Sequence, residues 1–420
     1  MHNATAEGDL AAPAVAVQQL SVLILGAGYV GASLAASCTK AGLQVTAFDR
    51  SDLALAVVRA EVGCDVVKRP TDLVRPPDVI VIAVNTPTIG HAPDYRPLVA
   101  ACRSVAKVLR PGALVINEST VGTGATRSVI AREIDKACGL SPSDDYLLAY
   151  SPERIDPGNS QFRLETTPKL VAGITMDAAK AAAAFYERFV DKVHVIDSVE
   201  EVEFTKLYEN SFRAVGIALA NEMAMAASNL GLDPRRVFAA AASKPFGFLP
   251  FNPGAGVGGD CIPTDPWYLI EALRESGCED VTVLRAAMTV NEHRPQRVVA
   301  RAEELLAEMG SSLGTARIAI LGLGYKANQP GLTNSPGLKI VRLLHERGAR
   351  PVAYDPLVAE VVGGDLAGVP LVSAQELAEW EPTIGIVCTL HDCLRPMVNG
   401  FTFPLIDPTA GLLGPKVRHV

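Results

Sequence analysis

Residues 21–31 read S-V-L-I-L-G-A-G-Y-V-G, and this stretch decides the fold of the first part of the chain. Its apolar residues 21–25 predict a buried strand, and the Ala-rich stretch behind the glycines predicts a helix through Ala41. A second strand is predicted over 44–48, with Asp49 at its end. This order of strand, spaced glycines, helix, strand and acid is typical of a dinucleotide-binding Rossmann unit.

The three glycines of this turn have separate physical roles. Gly26 permits the tight turn, Gly28 lets a pyrophosphate approach the backbone, and Gly31 lets the helix pack against the strand. Tyr29 and Val30 open the helix, whose N-terminal N–H groups attract phosphate. We therefore expect all five residues to bind the cofactor.

Asp49 indicates which dinucleotide is bound. A carboxylate at this position accepts hydrogen bonds from the ribose hydroxyls and repels a 2′-phosphate, so NAD is favoured over NADP. The neighbouring Arg50 is the feature that leaves NADP open. We predict NAD as the cofactor, with Asp49 and Arg50 beside its ribose.

Three later strands of the same predicted sheet are followed by polar residues. Ligands of open parallel sheets lie beyond the carboxyl ends of the strands, so Thr86 and Thr120 are expected near the nicotinamide or the substrate. Thr86 could equally cap a following turn. Glu153 is a candidate acid or base, although a surface glutamate without such a role is commoner.

A second informative stretch, residues 251–268, reads F-N-P-G-A-G-V-G-G-D-C-I-P-T-D-P-W-Y. Glycines cost backbone entropy, and they are expected where the chain must approach a ligand closely. Cys261 follows the glycines, and Asp265 comes four residues later. A thiol in this setting is a candidate nucleophile. The alternative is a buried, inert cysteine, which is the commoner state of a free cysteine.

Residues 203–229 predict one long helix. Lys206 and Asn210 stand one turn apart on the same face, where they could hydrogen-bond a reacting oxygen or form a solvated stripe. Gly216 in the middle of the helix is unfavourable, and a close helix–helix contact would explain it. The apolar faces fit either a dimer seam or packing between domains of one chain.

A second α/β unit begins with a predicted strand over 317–321 and the turn G-L-G-Y-K. Ala327 stands where the dinucleotide pattern has its third glycine, so this unit need not bind a dinucleotide. The predicted fold class is therefore α/β, with two Rossmann-like, doubly wound parallel-sheet domains joined by a long central helical region.

Composition excludes several classes of protein. The chain has 420 residues, of which 49% are hydrophobic and 20% charged, as in globular proteins with large cores. A net charge of −8 without a basic tract argues against nucleic acid as a partner. No uncharged apolar run is long enough for a membrane span. Eight scattered cysteines without zinc-ligand spacing predict no metal site and a reducing cytoplasm.

Six motifs together resemble the UDP-glucose/GDP-mannose dehydrogenase family over nearly the whole chain after residue 20. They are L-G-A-G-Y-V-G, E-S-T-V-G, S-P-E-R, K-L-Y-E-N-S-F-R-A with N-E-M-A, G-V-G-G-D-C-I-P-T-D-P-W-Y, and G-L-G-Y-K. The C-I-P-x-D-P-W-Y form is most similar to the branch that oxidises UDP-N-acetylhexosamines. The resemblance implies an enzyme that uses two NAD+ to oxidise the C6 alcohol of a nucleotide sugar to a uronic acid.

The resemblance also implies roles for individual residues. Cys261 would form a thiohemiacetal and then a thioester, while Lys206 and Asn210 hydrogen-bond the C6 oxygen. Asp265 would act as a base or organise water, and Glu153 with Thr120 would position the hydrolytic water. The implied substrate-binding residues are Glu153, Arg154, Lys206, Asn210, Phe251, Gly256, Gly258 and Lys326.

The family pattern also divides the chain and suggests its assembly. The expected parts are a disordered leader (1–20), an NAD-binding Rossmann domain (21–198), a central helical domain with the cysteine loop (199–312) and a nucleotide-sugar-binding Rossmann-like domain (313–420). A homodimer through the central helix is implied as well.

Two departures from the family pattern leave alternatives open. Asp260 precedes the cysteine, where the family usually has His or an aromatic residue, and a nearby acid should raise the thiol pKa. Residues 331–336 keep S-P but lack the usual Asp and Arg. The alternatives are a two-electron alcohol dehydrogenase on a divergent nucleoside or sugar-phosphate substrate, and a non-catalytic nucleotide-sugar-binding homologue.

Overall fold

A computed structural model describes residues 20–156, 161–278, 280–358 and 366–420. All but the last residue of the predicted leader 1–20 lies outside the described residues. Within them, no helix is both long enough and apolar enough to cross a membrane.

The first sheet and its helices occupy the N-terminal half. The elements are β1 (Ser21–Leu25), α1 (Tyr29–Lys40), β2 (Gln44–Phe48), α2 (Asp52–Val62), β3 (Asp65–Val67), β4 (Val79–Ile82), β5 (Thr88–Ile89), β6 (Ala92–Pro93), α3 (Arg96–Ala106), β7 (Leu114–Asn117), α4 (Arg132–Cys138), β8 (Leu147–Tyr150), β9 (Lys169–Gly173), α5 (Met176–Tyr186) and β10 (Val193–Val195). Eight strands pair in the order β10-β9-β8-β7-β4-β1-β2-β3, while β5 and β6 form a separate hairpin.

One pair of strands departs from the parallel arrangement. β8 and β9 pair antiparallel, with Ala149 opposite Gly173 and Tyr150 opposite Ala172. β9 therefore begins at the edge of the sheet where β7 and β8 end. This reversal places Lys169, the first residue of β9, among the residues that follow the neighbouring strands.

Four helices follow the first sheet. They are α6 (Val199–Asn229), α7 (Pro234–Ala242), α8 (Asp265–Glu275) and α9 (Thr282–Glu308). α6 begins four residues before its predicted start because the Ser198 side chain accepts a hydrogen bond from the Glu201 N–H and caps the helix. Its length of 31 residues lets it contact both α8 and α9.

The second sheet is entirely parallel. Its elements are β11 (Ile318–Leu321), α10 (Pro336–Glu346), β12 (Val352–Tyr354), α11 (Ala374–Trp380), β13 (Ile384–Val387), α12 (Arg395–Asn399), β14 (Leu405–Asp407) and β15 (Val417–His419). The strands pair in the order β12-β11-β13-β14-β15. The predicted fold class is confirmed, and the domain limits given above stay predictions.

The central strands of both sheets are buried on both faces. All five residues of β1 and all four of β11 are buried, as expected for central strands covered by helices on either side. The predicted bounds of β1 and β2 agree with the structure to the residue. The core of each unit thus fixes the sheet edges from which the polar residues extend.

Candidate active site

The dinucleotide turn has the geometry that the three glycines predict. Gly26 has a φ of +103°, and an added Cβ would lie 2.1 Å from the Ala83 carbonyl oxygen. An added Cβ on Gly31 would lie 1.8 Å from the Gly26 carbonyl oxygen. At Gly28, by contrast, an added Cβ would meet no described atom within 4 Å. The open space at Gly28 fits a bound pyrophosphate.

The residues around this turn complete the fit to a dinucleotide. Gly28 is the N-cap residue of α1, Tyr29 and Val30 are its first two residues, and no side chain caps it in the described part of the chain. Asp49 accepts hydrogen bonds from the N–H groups of Ala27 and Ser51, at 2.7 and 2.8 Å. Each carboxylate oxygen keeps a further lone pair for a ribose hydroxyl.

Arg50, next to Asp49, is exposed. Its predicted place beside the ribose stays a prediction, as does the use of the remaining Asp49 lone pairs.

Thr86 and Thr120 meet where β4 and β7 end. The Thr86 hydroxyl donates to the Thr120 carbonyl oxygen at 2.7 Å, so it does not merely cap its own turn. The Tyr268 hydroxyl in α8 donates to the Thr86 carbonyl oxygen at 2.8 Å. These contacts join the carboxyl edge of the first sheet to the helix that follows the cysteine loop. Roles for Thr86 and Thr120 toward a ligand stay predictions.

Lys206, Asn210 and Asp265 form a buried polar group beside Cys261. The three side chains are 8%, 6% and 3% exposed, so the interpretation of Lys206 and Asn210 as a solvated stripe is wrong. The Asn210 amide donates to Asp265 Oδ2 at 2.6 Å. Cys261 contacts the start of α8, because its carbonyl oxygen accepts a hydrogen bond from the Asp265 N–H at 2.8 Å.

The charges of this group act on one another. Burial raises the pKa of Asp265 to about 6, although the Lys206 ammonium and the Asn210 hydrogen bond oppose the shift. Desolvation in the crowded cleft and the Asp265 charge raise the pKa of Cys261 to about 11, even though the residue itself is exposed. The Asp260 charge also raises the thiol pKa, as expected, but its effect is smaller than that of the Asp265 charge. The sulfur therefore needs a proton acceptor before it can act as a nucleophile.

Glu153 approaches the same site from the first sheet. Its carbonyl oxygen accepts from Lys206 Nζ at 2.6 Å. The structure thus brings together Cys261, Asp265, Asn210, Lys206 and the backbone of Glu153, as the resemblance implies for a cysteine-dependent site.

Two of the predicted substrate-binding cations have protein partners. Arg154 forms a two-point ion pair with Glu209 of α6, with N–O distances of 2.6 and 3.2 Å. Lys326 pairs with Asp156 at 2.6 Å across the interface between the two α/β units. Both side chains keep partial exposure, and their predicted roles toward substrate stay predictions.

The glycines of the cysteine loop allow close packing against other parts of the chain. Added Cβ atoms at Gly256 and Gly258 would lie 3.2 Å from Pro295 and 2.6 Å from Tyr325, so protein atoms occupy the space next to them. At Gly259, the distance to the Tyr325 ring would be 3.0 Å. The missing side chains at Gly256 and Gly258 thus let the loop pack against the second α/β unit, and the predicted contact of these two residues with substrate stays a prediction.

The contact at Gly216 is also not the expected helix–helix contact. An added Cβ there would lie 2.3 Å from the Phe251 ring, which packs against Phe212 with 5.7 Å between ring centroids. The half-buried Phe251 thus anchors the start of the cysteine loop on α6. Its predicted contact with substrate stays a prediction.

Sequence reasoning gave no role to a buried ion cluster next to Glu153. Lys169 Nζ lies 2.8 Å from Glu118 Oε1 and 3.2 Å from Glu153 Oε2. Glu118 is the first residue of the motif E-S-T-V-G, and Lys169 belongs to none of the six motifs. The antiparallel direction of β9 brings them together, and nothing in the local pattern indicates that direction.

Comparison with known proteins gives matches along the chain. Residues 56–190, 200–293 and 319–403 match models of the NAD binding, central and UDP binding domains of the UDP-glucose/GDP-mannose dehydrogenase family. The chain is 33% identical to UDP-N-acetyl-D-glucosamine 6-dehydrogenase of Pseudomonas aeruginosa, covering 82% of this chain and 84% of that protein. It is 32% identical to UDP-N-acetyl-D-mannosamine dehydrogenase of Pyrococcus horikoshii, covering 81% and 84%.

Solved structures agree with this match. The structure of UDP-D-ManNAc dehydrogenase from Pyrococcus horikoshii superposes with a TM-score of 0.82 at 28% identity, over 96% of this chain and 99% of that one. A UDP-glucose dehydrogenase from Pyrobaculum islandicum superposes with a TM-score of 0.81 at 26% identity, over 94% and 95%.

Proposed function

The chain belongs to the UDP-glucose/GDP-mannose dehydrogenase family as an NAD-dependent nucleotide-sugar dehydrogenase, and we propose that it oxidises C6 of a UDP-N-acetylhexosamine to the carboxylate. The observation that carries the proposal is the convergence of Lys206, Asn210 and Asp265 beside the Cys261 thiol. NAD+, when bound, accepts the hydride in each of two oxidation steps.

In the first oxidation, the protein has to hold the alcohol and remove its proton. The Lys206 ammonium and the second N–H of the Asn210 amide are the donors for the C6 oxygen. Asp265 accepts the alcohol proton, a task suited to a carboxyl whose pKa burial raises to about 6. The product of this step is the C6 aldehyde.

The aldehyde then becomes bound to the enzyme. Asp265 first releases the alcohol proton to solvent and then accepts the Cys261 proton. The sulfur adds to the C6 carbon, and Lys206 with Asn210 stabilises the negative oxygen. After the second oxidation, a thioester joins C6 to Cys261. Hydrolysis of this thioester requires a base that accepts a proton from water. Glu153 is that base, and Thr120 helps to position the water.

One variant with a matched control tests the cysteine pathway. Cys261→Ser should lose the net production of uronic acid, because a serine hydroxyl is a much weaker nucleophile than a thiolate. Mass spectrometry of the product and the count of NADH per product are the measurements, with UDP-N-acetylglucosamine and UDP-N-acetylmannosamine as substrates. Cys278→Ser, in a second exposed cysteine, is the control.

The alternatives make different predictions in that experiment. One NADH per product and undiminished turnover of Cys261→Ser would favour a two-electron alcohol dehydrogenase. NAD+ binding without NADH formation across a panel of nucleotide sugars would favour a non-catalytic binding protein.

A second copy of the chain is the proposed partner of α6. At about 100° per residue, five exposed apolar side chains lie within one face about 100° wide. They are Phe204, Tyr208, Phe212, Leu219 and Met223. Exposed apolar patches of this kind mark association surfaces. Leu219→Glu with Met223→Glu should yield a monomer in light scattering, whereas an unchanged mass would exclude this face from the interface.

We also propose a cytoplasmic location. All eight cysteines are free thiols, which fits the reducing compartment where such thiols persist. Labelling of free thiols in the protein isolated from its cells tests the proposal, and oxidised pairs would contradict it.

A further inference from the structure

A buried ammonium lies directly behind the predicted hydrolytic base. Lys169 is 2% exposed, and lysine is almost never fully buried unless it is paired. Its Nζ lies 3.2 Å from Glu153 Oε2 and 2.8 Å from Glu118 Oε1. The ammonium also lies 5.0 Å from the centre of the Tyr186 ring. The ammonium is thus paired with two carboxylates, one of which belongs to the predicted site residue Glu153.

Strand direction explains how the cluster forms. β8 and β9 run in opposite directions, with Ala149 opposite Gly173 and Tyr150 opposite Ala172. Three further steps lead from Tyr150 to Glu153 and from Ala172 to Lys169. Glu118 follows the last residue of β7, which pairs with β8. The three charged residues therefore meet at the same edge of the sheet as the ligand-facing loops.

Glu153 is held at each of its polar ends. Its Oε1 accepts from the N–H groups of Arg154 and Ile155 at 2.6 and 2.7 Å, and its Oε2 faces Lys169. Its carbonyl oxygen accepts from Lys206, the ammonium that acts on Cys261 and Asp265. The side chain is 11% exposed, whereas that of Glu118 is fully buried. Of the two carboxylates, only that of Glu153 keeps exposed surface.

We propose that Lys169 is a positioning residue for the hydrolytic half of the reaction, in which its ammonium orients the Glu153 carboxylate toward the water that attacks the Cys261 thioester. The inference rests on the function proposed above. Lys169 itself touches neither substrate nor cofactor in this scheme. It acts through Glu153, and Glu118 with Tyr186 holds the ammonium in place from the other side.

The chemical step balances with groups already named. A water oxygen adds to the thioester carbon while Glu153 accepts one of its protons. The C–S bond then breaks, which gives the C6 carboxylic acid and the Cys261 sulfur. Glu153 returns the proton to that sulfur. No oxidant or reductant takes part, because both oxidations precede this step.

The electrostatics of the cluster separate the two carboxylates. Burial raises the pKa of Glu118, despite the opposing Lys169 charge and the hydroxyl of Tyr186. Burial also acts on Glu153, but the Lys169 charge and two backbone N–H groups outweigh it and lower the Glu153 pKa. Glu118 therefore takes up a proton first, while Glu153 stays ionised and able to accept a proton from water.

The test separates oxidation from hydrolysis in the full-length enzyme. Lys169→Met should leave the rapid formation of two NADH per site intact and slow the steady state by roughly tenfold or more. The loss should not exceed the roughly 10²–10⁴-fold that a positioned base contributes. The covalent adduct on Cys261 should then accumulate, and intact-mass spectrometry detects it. Lys192→Met, which changes an exposed lysine just before the neighbouring strand β10, should match wild type.

A second variant guards against a fold effect. Lys169→Met leaves two carboxylates without their ammonium, and this can unfold the domain. Lys169→Met/Glu118→Gln removes one charge of each sign, so it should stay folded and still accumulate the adduct. Steady-state turnover equal to wild type in a folded variant, or slow turnover without an adduct, overturns the inference.

Wild-type enzyme distinguishes this failure from a failure of the proposed function. Two NADH per uronic acid, and a Cys261 adduct trapped by acid quench, support the cysteine pathway whatever Lys169 does. Absence of both in the wild type contradicts the pathway itself.

Discussion

The two α/β units use the same glycine turn for different purposes. Gly26 and Gly322 are equivalent, since both have positive φ and an added Cβ would lie 2.1 or 2.0 Å from a carbonyl oxygen of the neighbouring strand end. The next glycine differs. Space is open at Gly28, whereas at Gly324 an added Cβ would lie 2.5 Å from the Gln329 carbonyl oxygen. The second unit fills with its own loop the space that the first leaves for pyrophosphate.

The helix that follows each turn shows the same divergence. In the first unit, α1 starts three residues after Gly26, and Gly31 packs on the Gly26 carbonyl oxygen. In the second, α10 starts only at Pro336, and an added Cβ on Gly337 would lie 3.2 Å from the Gly322 carbonyl oxygen. The close helix contact predicted to be missing at Ala327 is therefore supplied by Gly337. A turn can keep its packing while it loses its phosphate site.

The acid after the second strand differs in its surroundings. Asp49 is half-buried and accepts from two backbone N–H groups. Asp355 is 1% exposed and accepts from four backbone N–H groups and from the buried His391. One carboxylate keeps capacity for a ligand, and the other is used up in holding its own domain together.

The largest expected effect follows from placing a charge at the open position. Gly28→Asp meets no protein atom, keeps an allowed φ of −71°, and provides a favourable N-cap residue, so the fold should stay intact. The carboxylate would repel the pyrophosphate, and we expect NAD+ affinity to fall by on the order of a hundredfold or more, about 3 kcal/mol. Calorimetric titration measures the change. An affinity within threefold of wild type would mean that the space at Gly28 is not the phosphate site.

At the filled position the comparison predicts a loss of stability instead. Gly324→Ala forces the Gln329 carbonyl to move, which should lower the free energy of unfolding by about 1–3 kcal/mol. NAD+ affinity should be unchanged. Gly314→Ala is the matched control, because an added Cβ there meets nothing within 4 Å. Denaturant unfolding distinguishes the two variants, and equal midpoints would refute the packing argument.

The smallest expected effect concerns how stability depends on pH. Burial opposes ionisation of Asp355, but His391 and the backbone donors outweigh it and lower its pKa to about 2. Because the folded pKa lies below the unfolded one, this stabilisation is present above about pH 4 and is lost as the pH falls toward 2. Asp355→Asn should remove up to about 2 kcal/mol of stability at pH 7. It should also reduce the loss of stability between about pH 4 and pH 2. Asp49→Asn should weaken NAD+ binding and leave the loss of stability at acid pH unchanged.

The sequence was most informative where one local pattern determines one structure. The turn 26–31 and the Lys206–Asn210 spacing placed their residues correctly, because helix periodicity and glycine geometry act over a few residues. Glycines alone do not say whether a ligand or another part of the chain fills the space beside them. Pro295 and Tyr325 lie next to Gly256 and Gly258, and the glycine pattern carried no signal of this packing.

The cluster around Lys169 was hidden for a different reason. It depends on the direction of β9, and a short apolar strand carries no signal of whether it pairs parallel or antiparallel. Once the direction is known, the register places Lys169 opposite Glu153. The missing information was topological, whereas all the residues concerned were visible in the sequence.

The segment 331–336, which departs from the family pattern, is also what holds the cysteine loop. The Gly259 N–H donates to the Thr333 carbonyl oxygen at 2.8 Å, and the Asn334 amide donates to the Gly259 carbonyl oxygen at 3.0 Å. Chimeras with related enzymes must therefore preserve these two hydrogen bonds. If the C-terminal unit alone is exchanged, the loop that carries Cys261 packs against residues of another protein. Residues 251–261 therefore have to be exchanged together with the C-terminal unit.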